Sequence, residues 1–243
     1  MRALAACAVL LTPICVVVLA GCESSQSRSK HLAAQGRKAL NEKGLVIRRA
    51  NPDVKPTATT VLATKDGAAV VVALRNSSPS GQLKVPISID VLGRNGRSVF
   101  KNDQPGLQTA LVSAAVLPGR GGFIWVNDQV AASGTPRSVK VRVGVGGKLR
   151  GKLPQIEVSP AKLAVDPVSG VEASGTLVNR SPIEQRELVV YGVAWRGGRI
   201  VAAGRGQVPR LKVGAKKVPY HLFFIGDPRG ARVSVEAPPT VLQ

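Results

Sequence analysis

Residues 83–101 read LKVPISIDVLGRNGRSVFK. Two β-branched runs, Leu83 to Leu92 and Arg97 to Lys101, flank the dipeptide Asn95-Gly96. Asn-Gly between such runs is a strong hairpin signal, because both central residues of the tightest turn need positive φ. Outward from this hairpin the same pattern recurs. Val54 to Thr64, Ala68 to Arg75, Leu107 to Val116, Gly122 to Ala131 and Ser138 to Val145 are further candidate strands, and Asp66-Gly67 marks a second tight turn. Seven short strands in about 100 residues predict a β-sandwich.

Gly146 to Pro154, GGKLRGKLP, is a basic, glycine-bearing break, after which the pattern resumes. The second set is Ile156 to Ser159, Lys162 to Val165, Val171 to Val178, Glu187 to Trp195, Arg199 to Gln207, Ala215 to Ile225 and Ala231 to Ala237, with Gly197-Gly198 as its hairpin. The halves read as a repeat. Leu74-Arg75-Asn76-Ser77 matches Leu177-Val178-Asn179-Arg180-Ser181, and Asn95-Gly96-Arg97-Ser98-Val99 matches Gly197-Gly198-Arg199-Ile200-Val201. Asp128 and Asp227 each follow an aromatic strand. A period of this length means tandem domains rather than a solenoid. The expected architecture is all-β, two tandem immunoglobulin-like β-sandwich domains over 44–146 and 155–243, joined by a linker at 147–154. The length, 243 residues, is comfortable for two such domains.

Before the strands lies a different kind of sequence. Arg2 is followed by an apolar run from Ala3 to Ala20, the mark of a secretory signal over residues 1–21. The run is just long enough to span a bilayer, but Pro13 within it and the small residues at its end favour cleavage. Leu19-Ala20-Gly21-Cys22 resembles the lipobox of bacterial lipoproteins. The resemblance implies that the Cys22 thiol receives a diacylglyceryl group, that the preceding peptide is removed, and that the membrane is a partner through Cys22. The expected location is the extracytoplasmic face of the cell membrane. Cys7 and Cys15 leave with the signal, so the mature chain keeps neither a free thiol nor a disulfide. Residues 22–43 read as a polar tether and a short helix from Ser29 to Lys43, stopped at Gly44.

The strand order is similar to the FxLYD-like and related immunoglobulin-like domains of bacterial surface lipoproteins, best over Val171 to Asn179, Leu188 to Arg199 and Leu211 to Phe224. Where that family has Tyr-Asp before the hairpin, this chain has Trp195-Arg196 and Leu92-Gly93. The resemblance implies spacing and binding roles and carries no catalytic residue.

Chemistry-bearing motifs are sparse. Gly146 to Lys152 matches the opening of a phosphate-binding loop, but Leu153 supplies no hydroxyl for magnesium and Pro154 blocks the helix that would receive phosphate. Ser27-Arg28-Ser29-Lys30 and Ser159-Pro160-Ala161-Lys162 have Ser-x-x-Lys spacing without the companion elements of penicillin-recognising enzymes. A catalytic triad would need His31 or His221, the two histidines of the chain. Asp90, Asp103 and Asp128 could converge only through the fold, and turn capping accounts for Asp103 and Asp128. The eight aromatics, Phe100, Phe123, Trp125, Tyr191, Trp195, Tyr220, Phe223 and Phe224, are expected in the core, with Trp125 beside Asn127-Asp128 the one to watch. No metal ligand set or cofactor is expected.

The formal charge is +20, from 34 Lys and Arg against 14 Asp and Glu. It is spread over the chain and densest at Lys148, Arg150 and Lys152, the candidate contacts for a polyanion. An exported chain without basic-aromatic interleaving is not expected to bind nucleic acid. The sequence therefore points to a membrane-anchored, non-catalytic binding or spacer module. Its rival is a basic surface protein that binds anionic lipid or a cell-wall polymer, and an envelope hydrolase comes third. An envelope protein is the other expected partner.

Overall fold

The computed structural model describes residues 44–65, 67–166 and 170–242, all within one compact unit. The signal, Leu19 to Cys22, the tether helix, the first Ser-x-x-Lys, His31 and Asp66 of the first tight turn lie outside the described residues. The described chain is almost entirely β, as expected, and no helix in it is long and apolar enough to cross a membrane.

The first half holds β1 (Val54–Ala63), β2 (Ala68–Asn76), β3 (Gln82–Gly93), β4 (Ser98–Lys101), β5 (Ser113–Leu117), β6 (Gly122–Asn127), β7 (Pro136–Val143) and β8 (Gly147–Lys148). One sheet has the order β1-β2-β6, and β3 is the centre of the other. Along one edge of β3 run β4 and β5, and along the opposite edge β7 and β8. Each edge is in effect one strand interrupted once. At the first interruption the fully buried Asn102 side chain stands in for the missing backbone. Its Oδ1 accepts from Ile89 N at 2.7 Å, and its Nδ2 donates to the carbonyls of Ile87 and Leu111 at 2.8 Å. The excursion that follows contains one helical turn, α1 (Thr109–Val112), where the sequence predicted strand from Leu107. The reason is tertiary. With Asn102 completing the β3 ladder, the chain is free to bulge outward, and Trp125 Nε1 donates to the Ala110 carbonyl and holds the turn in place.

The second half repeats this order with β9 (Ile156–Val158), β10 (Lys162–Asp166), β11 (Gly170–Asn179), β12 (Gln185–Arg196), β13 (Arg199–Leu211), β14 (Val218–Phe223), β15 (Ile225–Gly226) and β16 (Arg232–Glu236). β9 and β10 share one edge of β11, with β14 on the other, and the second sheet runs β15-β13-β12-β16. The interruption between β9 and β10 is bridged by Ser159, whose hydroxyl accepts from Thr176 N at 2.8 Å. Gly204 and Gly206 let β13 cross β14 closely, since a Cβ there would lie 1.9 Å from Phe223 O and 2.0 Å from His221 O.

The two hairpins differ. Gly197 and Gly198 both have positive φ in a two-residue loop, as the sequence predicts. At the other turn only Gly96 does, at φ 71°, and Gly96 N bonds Gly93 O while Gly93 N bonds Arg97 O. This is a longer turn closed by a glycine bulge, which spares Asn95 the left-handed conformation.

Apolar periodicity explains the packing. On β3, Val85, Ile87, Ile89 and Val91 alternate inward against Val70, Val72 and Leu74 of β2. On β12 both faces are covered. Leu188, Val190 and Ala194 fill the second half's core, whereas Val189, Tyr191, Val193 and Trp195 join the first half's cluster. That is why 188–195 reads as an unbroken apolar run rather than an alternation. With every cysteine of the chain at or before Cys22, burial of such side chains, about 1.5–3 kcal/mol each, and the sheet ladders hold the described residues together.

Candidate functional site

A cleft lies where the halves meet. Its volume is about 530 Å³, between the start of β3, α1 and β5 on one side and β12 with the segment 238–242 on the other. Leu83, Ala115, Val189, Tyr191 and Leu242 make it predominantly apolar, and Lys84, Thr109, Ser113, Arg186, Glu187 and Thr240 add polar groups. The volume falls in the usual range for small-ligand sites, about 300–1,000 Å³.

Four buried or half-buried side chains of the repeat hold the strand ends and chain segments near it. Asn76 Nδ2 donates to Ser80 O and Pro118 O at 2.9 and 3.0 Å, while its Oδ1 accepts from Ser78 N. Asn179 does the same in the second half, donating to Ile183 O and Leu211 O and accepting from Ser181 N. The Leu-x-Asn-Ser resemblance between the halves is thus a shared strand-end plug. Gln82 and Gln185, at matching positions, pin the chain that leaves each half. Gln82 Oε1 accepts from Gly146 N at 3.3 Å, and Gln185 Oε1 accepts from Thr240 N and Val241 N at 2.9 and 3.1 Å. Gln185 therefore fixes the wall of the cleft formed by 238–242.

Two residues later in each half the backbone is strained. Lys84 has φ 46° and Glu187 φ 49°, both non-glycine, each the third residue of its strand and both lining the cleft. Left-handed backbone at such residues costs about 1 kcal/mol or more and gathers at functional positions. Around them the charges are unequally neutralised. Glu187 accepts from Gln207 Nε2, and Glu184 takes Arg186 at 3.0 Å and Arg210 at 2.8 Å, which holds its carboxyl below the usual range, Arg210 contributing most. Lys84 forms no ion pair among the described residues. The cleft mouth is left with net positive charge.

Behind the cleft Tyr191 is pushed up to about 12 by burial, which outweighs the nearby Arg205 cation, with Asp128 adding to the rise. Its ring meets Phe123 edge-on, centroids 5.1 Å apart. Asp128, which follows β6, receives Arg205 N at 2.9 Å and Arg205 Nε at 2.8 Å across the junction, with side chains 16% and 6% exposed. Oδ1 is engaged by the Arg205 guanidinium and Oδ2 by the Arg205 backbone amide, so Asp128 ties the halves together rather than acting as a free base or a simple turn cap.

The other sequence candidates are dispersed. Lys148, Arg150 and Lys152 are exposed and make no ion pair among the described residues. Gly147 and Lys148 form β8 on β3, so the would-be phosphate loop is partly strand. Trp125 is fully buried and serves α1. Of the eight aromatics only Phe223 is exposed, at 44%. His221 bonds Glu172 through Nδ1 on the outer face of the β11-β14 sheet, in a shallow hollow that also contains Ser159 and Lys162. There the Ser159 hydroxyl is already committed to the Thr176 amide. Asp90 stands on β3 between Lys101 and Lys140, and Asp103 is exposed before α1. Among the described residues no group of three His, Cys, Asp or Glu side chains could hold a metal ion.

Sequence reasoning missed Gln82, Gln185, Lys84, Glu187 and Arg205. The first four pair at the same offset as Asn76 and Asn179, a signal that repeat alignment beyond the Leu-x-Asn-Ser match would have exposed. Arg205 had no local signal, because its partner lies 77 residues away. Comparison with protein-family models and with curated proteins gave no match to this chain.

Proposed function

We propose that this chain is a lipid-anchored, non-catalytic binding module on the extracytoplasmic face of the cell membrane, with the junction cleft as its binding site. The lipobox residues Leu19, Ala20, Gly21 and Cys22 support the anchor. The observation that carries the binding role is the cleft itself, mostly apolar, with Lys84, which forms no ion pair among the described residues, at its edge and two matching strained residues in its walls. Such a site suits a small ligand with an apolar body and one acidic group, which buries its body and offers its anion to Lys84. The strand order, close to that of FxLYD-like domains, supports a role in display and binding.

Anilinonaphthalene sulfonate, an anionic apolar dye, provides the test. Its fluorescence should rise on binding the folded chain and be displaced by dodecanoate. Ala115→Trp should fill the cleft and abolish the signal, and Lys84→Gln should weaken it about fivefold. Equal dye binding by Ala115→Trp and the parent would refute the cleft as the site.

A further inference from the structure

Several cations of the second half are neutralised by acids of the same half. Arg180 is held by Glu157 at 3.0 Å, Arg186 and Arg210 by Glu184, and Arg229 by Asp227 at 2.8 Å. The first half carries 13 cations and 5 acids. Of its acids, Asp128 is spent on Arg205 of the other half. Its cations collect on one sheet. Across β3 the neighbours of Asp90 are Lys101 on β4 and Lys140 on β7, and Ser88 is paired with Arg142. These side chains alternate with the inward Val139 and Val141, so Lys101, Lys140 and Arg142 share the exposed face. Arg94 and Arg97 extend the row at the hairpin end. Arg48 extends it at the other end, on the segment that Arg142 Nη2 ties down through Ile47 O. None of these six cations forms an ion pair among the described residues.

We infer that the outer face of the β4-β3-β7 sheet is a docking stripe for a linear polyanion, a polymer bearing phosphodiester or carboxylate groups. The shape argues for a chain-like occupant. From Pro86 to Gly93 the stripe follows β3 for about 23 Å, and Lys101 and Lys140 flank it one strand away on either side, about 5 Å each. A polymer laid along β3 meets cations throughout that length. Asp90, whose Oδ1 is buried without a hydrogen-bond partner among the described residues, offsets a single charge. The site is separate from the cleft and does not depend on the cleft's having a ligand. It also differs from the linker cations Lys148, Arg150 and Lys152, which the sequence alone singles out.

Long-chain linear polyphosphate is the probe, titrated against the full chain. With six cations engaged, its affinity should fall about 1,000-fold between about 50 and 200 mM salt. Each cation near an anionic surface is worth about fivefold, so the triple variant Lys101→Gln, Lys140→Gln, Arg142→Gln should lose about 100-fold. Lys101 and Lys140 are exposed and their replacement should leave thermal stability unchanged, whereas Arg142→Gln also gives up the bond to Ile47 O, so the single Lys140→Gln, losing about fivefold at unchanged melting temperature, serves as the control on folding. The triple variant Lys148→Gln, Arg150→Gln, Lys152→Gln should bind as the parent does, and so should Ala115→Trp. Full competition by orthophosphate at equal charge would overturn the inference. So would loss of binding in the linker variant with retention in the sheet variant. Absence of polyphosphate binding, with a preference for phosphatidylglycerol over phosphatidylcholine vesicles that the sheet variant loses, would assign the stripe to lipid and overturn the polymer.

Discussion

Asn76 and Asn179 show how one residue type can set a strand end twice. Each side chain satisfies two carbonyls and one amide from separate segments while remaining 0% and 2% exposed. Alanine would leave those groups buried without partners, at about 1–3 kcal/mol for the first such loss and more as they accumulate. Asn76→Ala and Asn179→Ala should each lower the unfolding free energy by about 2–3 kcal/mol in urea titrations; a loss below about 0.5 kcal/mol would mean that water replaces the amide. Tyr191 makes a prediction in pH. Burial raises its folded value to about 12, from the ordinary phenol value of 10.0. The folded state therefore holds the phenol proton more tightly than the unfolded chain. Its contribution is complete below pH about 10 and is lost as pH rises toward 12, an amount of about 2–3 kcal/mol. Tyr191→Phe should flatten that part of the stability curve, and an unchanged slope would contradict the assignment.

At the scale of elements, β12 and β13 bind the halves together. The Asp128–Arg205 pair spans them with little solvent, so removing one partner strands a charge. Asp128→Leu or Arg205→Met alone should cost about 3–5 kcal/mol, and the double variant clearly less than the sum. Additive costs in a double-mutant cycle would show that the two side chains act independently. Much of this level could be read in the sequence. Strands 54–63, 98–101 and 162–166 fall within about a residue of expectation, because alternation and turn residues mark them directly. Leu107 to Val116 does not, because its apolar residues serve two purposes, α1 and β5, and only the Asn102 plug and the Trp125 anchor decide where the split falls. The cleft was invisible for a related reason. Its walls come from 83–84, 109–115, 186–191 and 238–242, stretches that no local pattern connects.

At the scale of the whole molecule, we propose a lipid anchor at Cys22 carrying a folded binding unit. Two acyl chains on one thioether hold a protein to a bilayer far more firmly than a single chain does. Cys22→Ala should thus move the protein from the membrane to the soluble fraction or leave it at precursor mass; a variant of mature size that stays membrane-bound would refute the lipobox reading. The proposed anchor and the proposed stripe on the β4-β3-β7 sheet are independent of the cleft, the proposed binding site. Dodecanoate titration followed by amide NMR addresses the cleft most directly. The account predicts saturable shifts confined to residues around Leu83 to Val85, Ala110 to Ala115, Arg186 to Tyr191 and Thr240 to Leu242, absent in Ala115→Trp. Shifts elsewhere, or none at saturating dodecanoate, would contradict it.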